Sequence, residues 1–316
     1  MRSLPPRGRQ EAQLTTEADG PSRPAVPPAL VIALAIIGIS WAAILVRWSG
    51  VSAYVLAFWR LALSLLVIAA ALTASRGWSR ILDVRRSDAA LLAVAGVLLA
   101  YHFVAWFISL DYTTVASSTL FVSLHPVFAA GLSAVWLHER PTRGEWSGIA
   151  VAMMGAAVIG GAGLTLGGEA MKGNMLALSA GVADAGYFVI GRSLRRRLGV
   201  WPYVAWVYLI AALALVPFIF ARGEVFFDYP AREWWIFIGL AAGPMLLGHT
   251  GFNWVLRYVR AYIVNLAVLS EPIGASLLAW WLLGGDEVPG VSTLVGGVLI
   301  LTGLAVSVYS RRGART

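Results

Sequence analysis

Three formal charges stand alone in long apolar stretches of this 316-residue chain: Arg60 in "AFWRLAL", Asp184 in "ADAGYF" and Glu271 in "LSEPIG". Each lies seven or more residues from the ends of its stretch, so roughly 10 Å or more inside at about 1.5 Å per helical residue. Placing such a charge in hydrocarbon costs at least ~2.5–3.5 kcal/mol, so it is paired, or it binds a charged solute or a proton. One guanidinium cannot neutralise two carboxylates, so one acid is expected to hold a proton or a substrate amine while Arg60 pairs with the other or meets a carboxylate. His102, His125, His249 and Asn253 add hydrogen-bonding groups inside apolar runs, and Trp41, Tyr101, Trp106 and Tyr187 add aromatic surface. Together they would suit a zwitterionic solute: an acceptor for its ammonium, donors for its carboxylate and an aromatic wall. The plainer readings are a structural ion pair and hydrogen-bonded or aromatic packing. The histidines lack metal-ligand spacing and the chain has no cysteine, so no metal or other cofactor is expected.

The elements that must carry these residues are membrane helices. Hydrophobic residues make up 59% of the chain, charged ones 13%, and the mean hydropathy is +0.76, which requires lipid as solvent. Seven long runs lack Lys, Arg, Asp and Glu: Pro24–Val46, Ala89–Leu110, Tyr112–His138, Trp146–Gly168, Leu198–Ala221, Trp234–Leu256 and Val288–Ser310. Trp48–Ser75, Gly173–Gly191 and Ala261–Gly285 each hold one of the three deep charges, making ten expected helices. Arginines at 76, 80, 85, 86, 140, 143, 192, 195–197, 257 and 260 fall, with both basic tails, in one alternate set of loops. The other set holds only Arg47, Lys172, Arg222 and Arg232. By the positive-inside rule both termini are expected in the cytoplasm of a bacterial cell, with the chain in its inner membrane. Nucleic-acid binding does not fit basic loops interleaved with ten spans. Residues 1–28 have the composition of a disordered tail, and 311–316 form a second short one.

The chain also repeats itself. Tyr112, His125 and Pro126 align with Tyr258, Glu271 and Pro272; after a two-residue insertion Glu139, Pro141, Gly148 and Gly155 align with Glu287, Pro289, Gly296 and Gly303. Trp59 and Trp206 are also in register. Five helices per copy is an odd number, so the copies must cross the membrane in opposite senses, the arrangement from which secondary transporters build a central site. Pro126 and Pro272 are expected to loosen the fourth and ninth helices at mid-membrane, beside His125 and Glu271. In the plainer reading Glu271 only caps that loosened backbone.

In "SLHPVFAAGLSAVWLHERPTRGEWSG" and "LSEPIGASLLAWWLLGGDEVPG" the repeat resembles the EamA-type repeat of the drug/metabolite transporter superfamily. The resemblance covers both copies, residues 29–168 and 169–310, and is strongest to bacterial amino-acid exporters, including the aromatic amino-acid branch. It implies an all-α integral membrane protein of ten transmembrane helices, arranged as two inverted five-helix repeats around a central cavity. It implies a secondary active exporter of small organic metabolites, amino acids foremost, with protons as a candidate coupling ion. An exchanger of nucleotide-linked or anionic metabolites is the alternative; a non-transporting scaffold or an intramembrane enzyme is remote. Two departures stand out: His138 replaces a usual loop glycine, and Asp184 replaces a usual tryptophan of the sixth helix. No phosphate-binding G-x-x-x-x-G-K-[ST] loop is present.

Overall fold

The computed structural model describes residues 24–82, 84–161, 164, 166–283 and 290–313. Most of the N-terminal tail, Glu287 with the "GGDE" stretch, and the last three residues lie outside them. The described residues are helical throughout, with no strand. The ten spans are α1–α2 (Pro28–Ile39, Ala42–Trp48), α3 (Ala53–Ala74), α5 (Arg86–Tyr112), α6–α7 (Val115–Val122, His125–Trp136) and α8 (Arg143–Gly161) in the first copy. In the second they are α9 (Gly168–Arg195), α10 (Val200–Ala221), α11 continued by a π-helical stretch and α12 (Ala231–Leu240, Ala241–Thr250, Gly251–Val255), α13–α14 (Ala261–Val268, Glu271–Leu283) and α15 (Val291–Gly313). The short α4 (Ser79–Leu82) links α3 to α5. Nine of these spans are long and apolar enough to cross a bilayer on their own. The other, α8, opens with Arg143 and Glu145 and runs alongside α15. Large apolar side chains such as Leu66, Val135, Leu213, Trp235 and Leu301 face outward, as lipid-facing surfaces do.

Local chemistry sets the boundaries. Ser52 and Thr114 cap α3 and α6, their hydroxyls accepting the N–H of Val55 and Ser117. Thr142 and Glu145 bond each other's backbone N–H at the start of α8, a reciprocal capping box. The fourth and ninth spans are broken outright. The chain turns at Ser123–Leu124 and Leu269–Ser270 and restarts with His125–Pro126 and Glu271–Pro272, where proline's missing N–H is harmless in a helix's first turn.

The two copies are related by an approximate two-fold axis. Gly148 of α8 lies against Gly303 of α15, and Gly155 against Gly296, which is the same contact with the copies exchanged. A Cβ on any of these glycines would come within about 2.5 Å of the facing carbonyl oxygen, so only glycine lets these backbones meet. Likewise Trp59 of α3 donates to the Phe226 carbonyl after α10, and Trp206 of α10 donates to the Ile81 carbonyl after α3. His138 ends α7 with φ 55°, and the Glu139 N–H reaches back to the Ser133 carbonyl. That left-handed stop favours glycine, which is the physical reason a loop glycine is usual there.

Candidate functional site

Spans one, two, three, four, six, eight and nine enclose a cavity at the centre of the bundle. Arg60, His102, Trp106, His125, Asp184, His249 and Glu271 all line it. Its volume is about 50 Å³, room for one or two waters. A second space of about 350 Å³ shares Thr119, Ser123, Glu271 and Pro272 with it and extends to Val115, Gly160 and Thr293. It therefore leads from the centre towards the face where α5 and α8 end and α15 begins.

Arg60 is 1% exposed, and its guanidinium carbon sits 3.9 Å from the centre of the Phe103 ring. Among the described residues it makes no salt bridge, and its Nε has no hydrogen-bond partner. The expected pairing of Arg60 with one of the deep acids is thus not made. The cation rests on an aromatic face, which attracts it without using its hydrogen-bond donors.

The Nδ1 of His102 lies 3.0 Å from the Ala180 carbonyl oxygen, which only accepts, so Nδ1 carries the hydrogen. The Nε2 then faces Asp184 Oδ1 at 4.0 Å. That oxygen is buried and has no hydrogen-bond partner. A proton on either group satisfies this pair, and two unprotonated groups do not. His249 stands in the π-helical stretch, its ring 6.2 Å from that of His102 and 5.1 Å from Phe103. Glu271 sits where the central cavity meets the wider space.

Four of the aromatic and polar candidates lie elsewhere. Tyr101 is 47% exposed and donates to Ser179 on the outer surface of the α5–α9 contact. One residue along from His102, it is turned about 100° round the helix, out of the cavity. Tyr187 and Asn253 are fully buried and hydrogen-bonded to each other, forming packing behind His249. Trp41 is half-buried between α1 and α2 and does not line the cavity. The aromatic wall is instead Trp106, Phe103, Phe188 and Phe252. Two Phe residues at helical spacing were the available signal: Phe103 and Phe107 are one turn apart and both face Arg60.

The arginine-rich end of the bundle is sealed. Glu139 accepts from Arg192 at 2.9 Å and Arg196 at 2.6 Å. Arg192 also donates to the carbonyls of Leu256 and Arg257. Arg195, 2% exposed, donates to the carbonyls of Asn253 and Leu198. Tyr262 donates to Glu145 at 2.8 Å, with Arg260 Nη1 3.6 Å from the same carboxylate. The Glu139 and Glu145 contacts tie the two copies together across the bundle. Sequence reading treated these arginines only as loop charges; their 192, 195, 196 spacing, one helical face amid apolar residues, was the missed sign.

Comparison with known proteins agrees with this architecture. The profile of the EamA-like transporter family matches residues 28–161 and again 171–309. The pseudopaline exporter CntI of Pseudomonas aeruginosa (strain UCBPP-PA14) is 27% identical over 72% of this chain and 78% of its own. A probable terminal-alkyne amino-acid exporter of Streptantibioticus cattleyicolor is 29% identical over 71% and 75%. An uncharacterised transporter of Archaeoglobus fulgidus is 26% identical over 71% and 78%. A chain of known crystal structure superposes with a TM-score of 0.75 at 22% identity, covering 92% of this chain and 99% of that one, which establishes the shared fold.

Proposed function

This chain belongs to the EamA-like transporter family, and on that premise we propose that it exports amino acids or close derivatives by alternating access. The observation that carries the substrate class is Arg60: a buried guanidinium that makes no salt bridge among the described residues, in one cavity with the acids Asp184 and Glu271. An unpaired buried cation is costly, and a substrate carboxylate would complete it. Glu271, facing the wider space, takes the ammonium; Trp106, Phe103, Phe188 and Phe252 take the side chain. A single deep cation suits a monocarboxylate better than a polyanion. Two relatives are named as exporters, one of them of an amino acid, which supports the direction and the class.

The 50 Å³ cavity is too small for such a solute, so binding requires the helices to part. The broken fourth and ninth spans are the pieces free to tilt, and the Glu139–Arg192–Arg196 cluster is the closed gate. We assign that arginine-rich face to the cytoplasm from the loop charges. The Asp184–His102 pair carries the coupling proton.

The test is uptake and counterflow in proteoliposomes with a panel of amino acids, each beside its methyl ester and its N-acetyl form. Free amino acids should compete and both blocked forms should not. Arg60→Gln should raise the half-saturation constant roughly tenfold to a hundredfold, the loss of one charge-assisted hydrogen bond. Esters that compete as well as the acids would overturn the reading. Orientation is tested separately by cysteines placed at Arg140 and Val291, which should label from opposite sides.

A further inference from the structure

A third space, apart from the two central ones, lies on the lipid-facing side of the bundle, between the α3 and α10 helices. It has a volume of about 480 Å³ and is lined on one wall by Leu65, Ala69 and Leu72, on the other by Ala205 and Leu209. Trp78 and Trp206 close its end, and neither leaves a polar atom facing in. The Trp206 indole N–H is given to the Ile81 carbonyl and the Trp78 indole N–H to the Thr73 hydroxyl. Ser79 aside, the groove therefore offers apolar contact, at the scale of a ligand site.

The two-fold relation shows that this space is particular to one end of the molecule. Helices α3 and α10 have the same length and correspond at a constant separation of 147 residues (200 − 53 and 221 − 74). The correspondence continues past their ends. Gly77 N–H reaches back to Leu72 O as Glu224 N–H does to Ile219 O, and Arg76 and Gly223 both take left-handed backbone, φ 51° and 67°. In this register Ser79 corresponds to Phe226 and Ala205 to Phe58. Those two rings pack edge to face, 5.0 Å apart, and fill at the far end what Ser79 and Ala205 leave open here. The second difference is charge. The far end pairs its Arg222 with Glu224 at 2.7 Å, whereas this end carries Arg76 where that end has Gly223, in a conformation that suits glycine better. It is followed by exposed Arg85 and Arg86.

We propose that this groove is a binding site for one anionic phospholipid, an acyl chain lying between α3 and α10 and the phosphate meeting Arg76, Arg85 and Arg86. Apolar walls on α3 and α10 and three exposed arginines that follow α3 in the chain are the two halves of such a ligand's chemistry. The inference is independent of the transported substrate.

The experiment is native mass spectrometry of the full chain, purified in detergent and supplied with palmitoyl-oleoyl phosphatidylglycerol or phosphatidylcholine. One phosphatidylglycerol should remain bound under conditions that strip phosphatidylcholine. Ala205→Phe restores the ring of the other repeat and should lower retention at least about tenfold. Ala69→Phe, from the opposite wall, should do the same if the first variant folds poorly, with thermal unfolding as the check. Arg76→Gly should weaken the preference for the anionic lipid by roughly fivefold. Undiminished retention in both filled-groove variants would overturn the proposal, as would equal retention of the two lipids. So would a dimer that Ala205→Phe dissolves, since the occupant would then be a second copy.

Discussion

The contact of α9 with α5 and the contact of α1 with the π-helical stretch are equivalent contacts between the two repeats, yet they differ in what meets at the centre of the bundle. In the first, Asp184 faces His102 across 4.0 Å. In the second, Gly38 lies against the backbone of Gly243 and Gly248; a Cβ on Gly38 would stand 2.7 Å from the Gly243 oxygen. Its neighbour Ile39 contributes only hydrocarbon to the cavity that Asp184 also lines. The duplicated scaffold therefore brings Asp184 and His102 together at one of these equivalent contacts and packs glycine backbone at the other. The shared features set the fold, and the departures from symmetry mark what the fold is used for.

Breaking the packed half should have the larger effect. Gly38→Leu forces two backbones apart and should lower stability by about 3 kcal/mol, visible as loss of the thermal transition in detergent or of folded protein altogether. Wild-type melting would mean that α1 and the π-helical stretch are not in backbone contact. Breaking the polar half should spare the fold and change function instead. Asp184→Asn removes the group that can exchange a proton with His102, so flux driven by a pH gradient should fall to the level seen without one, while melting stays close to wild type. Unchanged pH-driven flux would remove the pair from the coupling step. His102→Ala should act in the same direction; concentrative uptake persisting in both variants would place the proton elsewhere.

The smallest effect sharpens the comparison at a loop. His138 occupies a left-handed position at which Gly loses nothing to strain. His138→Gly should raise stability by about 1 kcal/mol without altering transport, as read from melting and flux together.

Much of this was legible in the residues. Ten apolar stretches, the odd number of helices per copy and the matched glycines Gly148, Gly155, Gly296 and Gly303 lead to the inverted repeat, because hydrocarbon length and repeat parity are properties of the chain. The deep positions of Arg60, Asp184 and Glu271 were equally plain, since a charge inside an apolar run needs no coordinates to be noticed. The rotation of each side chain was another matter. Tyr101 and His102 are neighbours in sequence, yet one faces outward and the other inward, and Tyr187 packs against Asn253 instead of the cavity.

Composition and period therefore dictate the solvent, the number of crossings, the duplication and the identity of the buried charges. Which of these groups meet is settled by the packing in three dimensions. It placed Arg60 on the ring of Phe103 instead of on an acid, joined His102 to Asp184 across eighty-two residues (184 − 102), and drew Glu139, Arg192 and Arg196 into one cluster. The reason is physical. A helix fixes spacing along its own axis, whereas the partner of a side chain depends on how neighbouring helices rotate to bury small residues, and that rotation is settled by all the contacts at once.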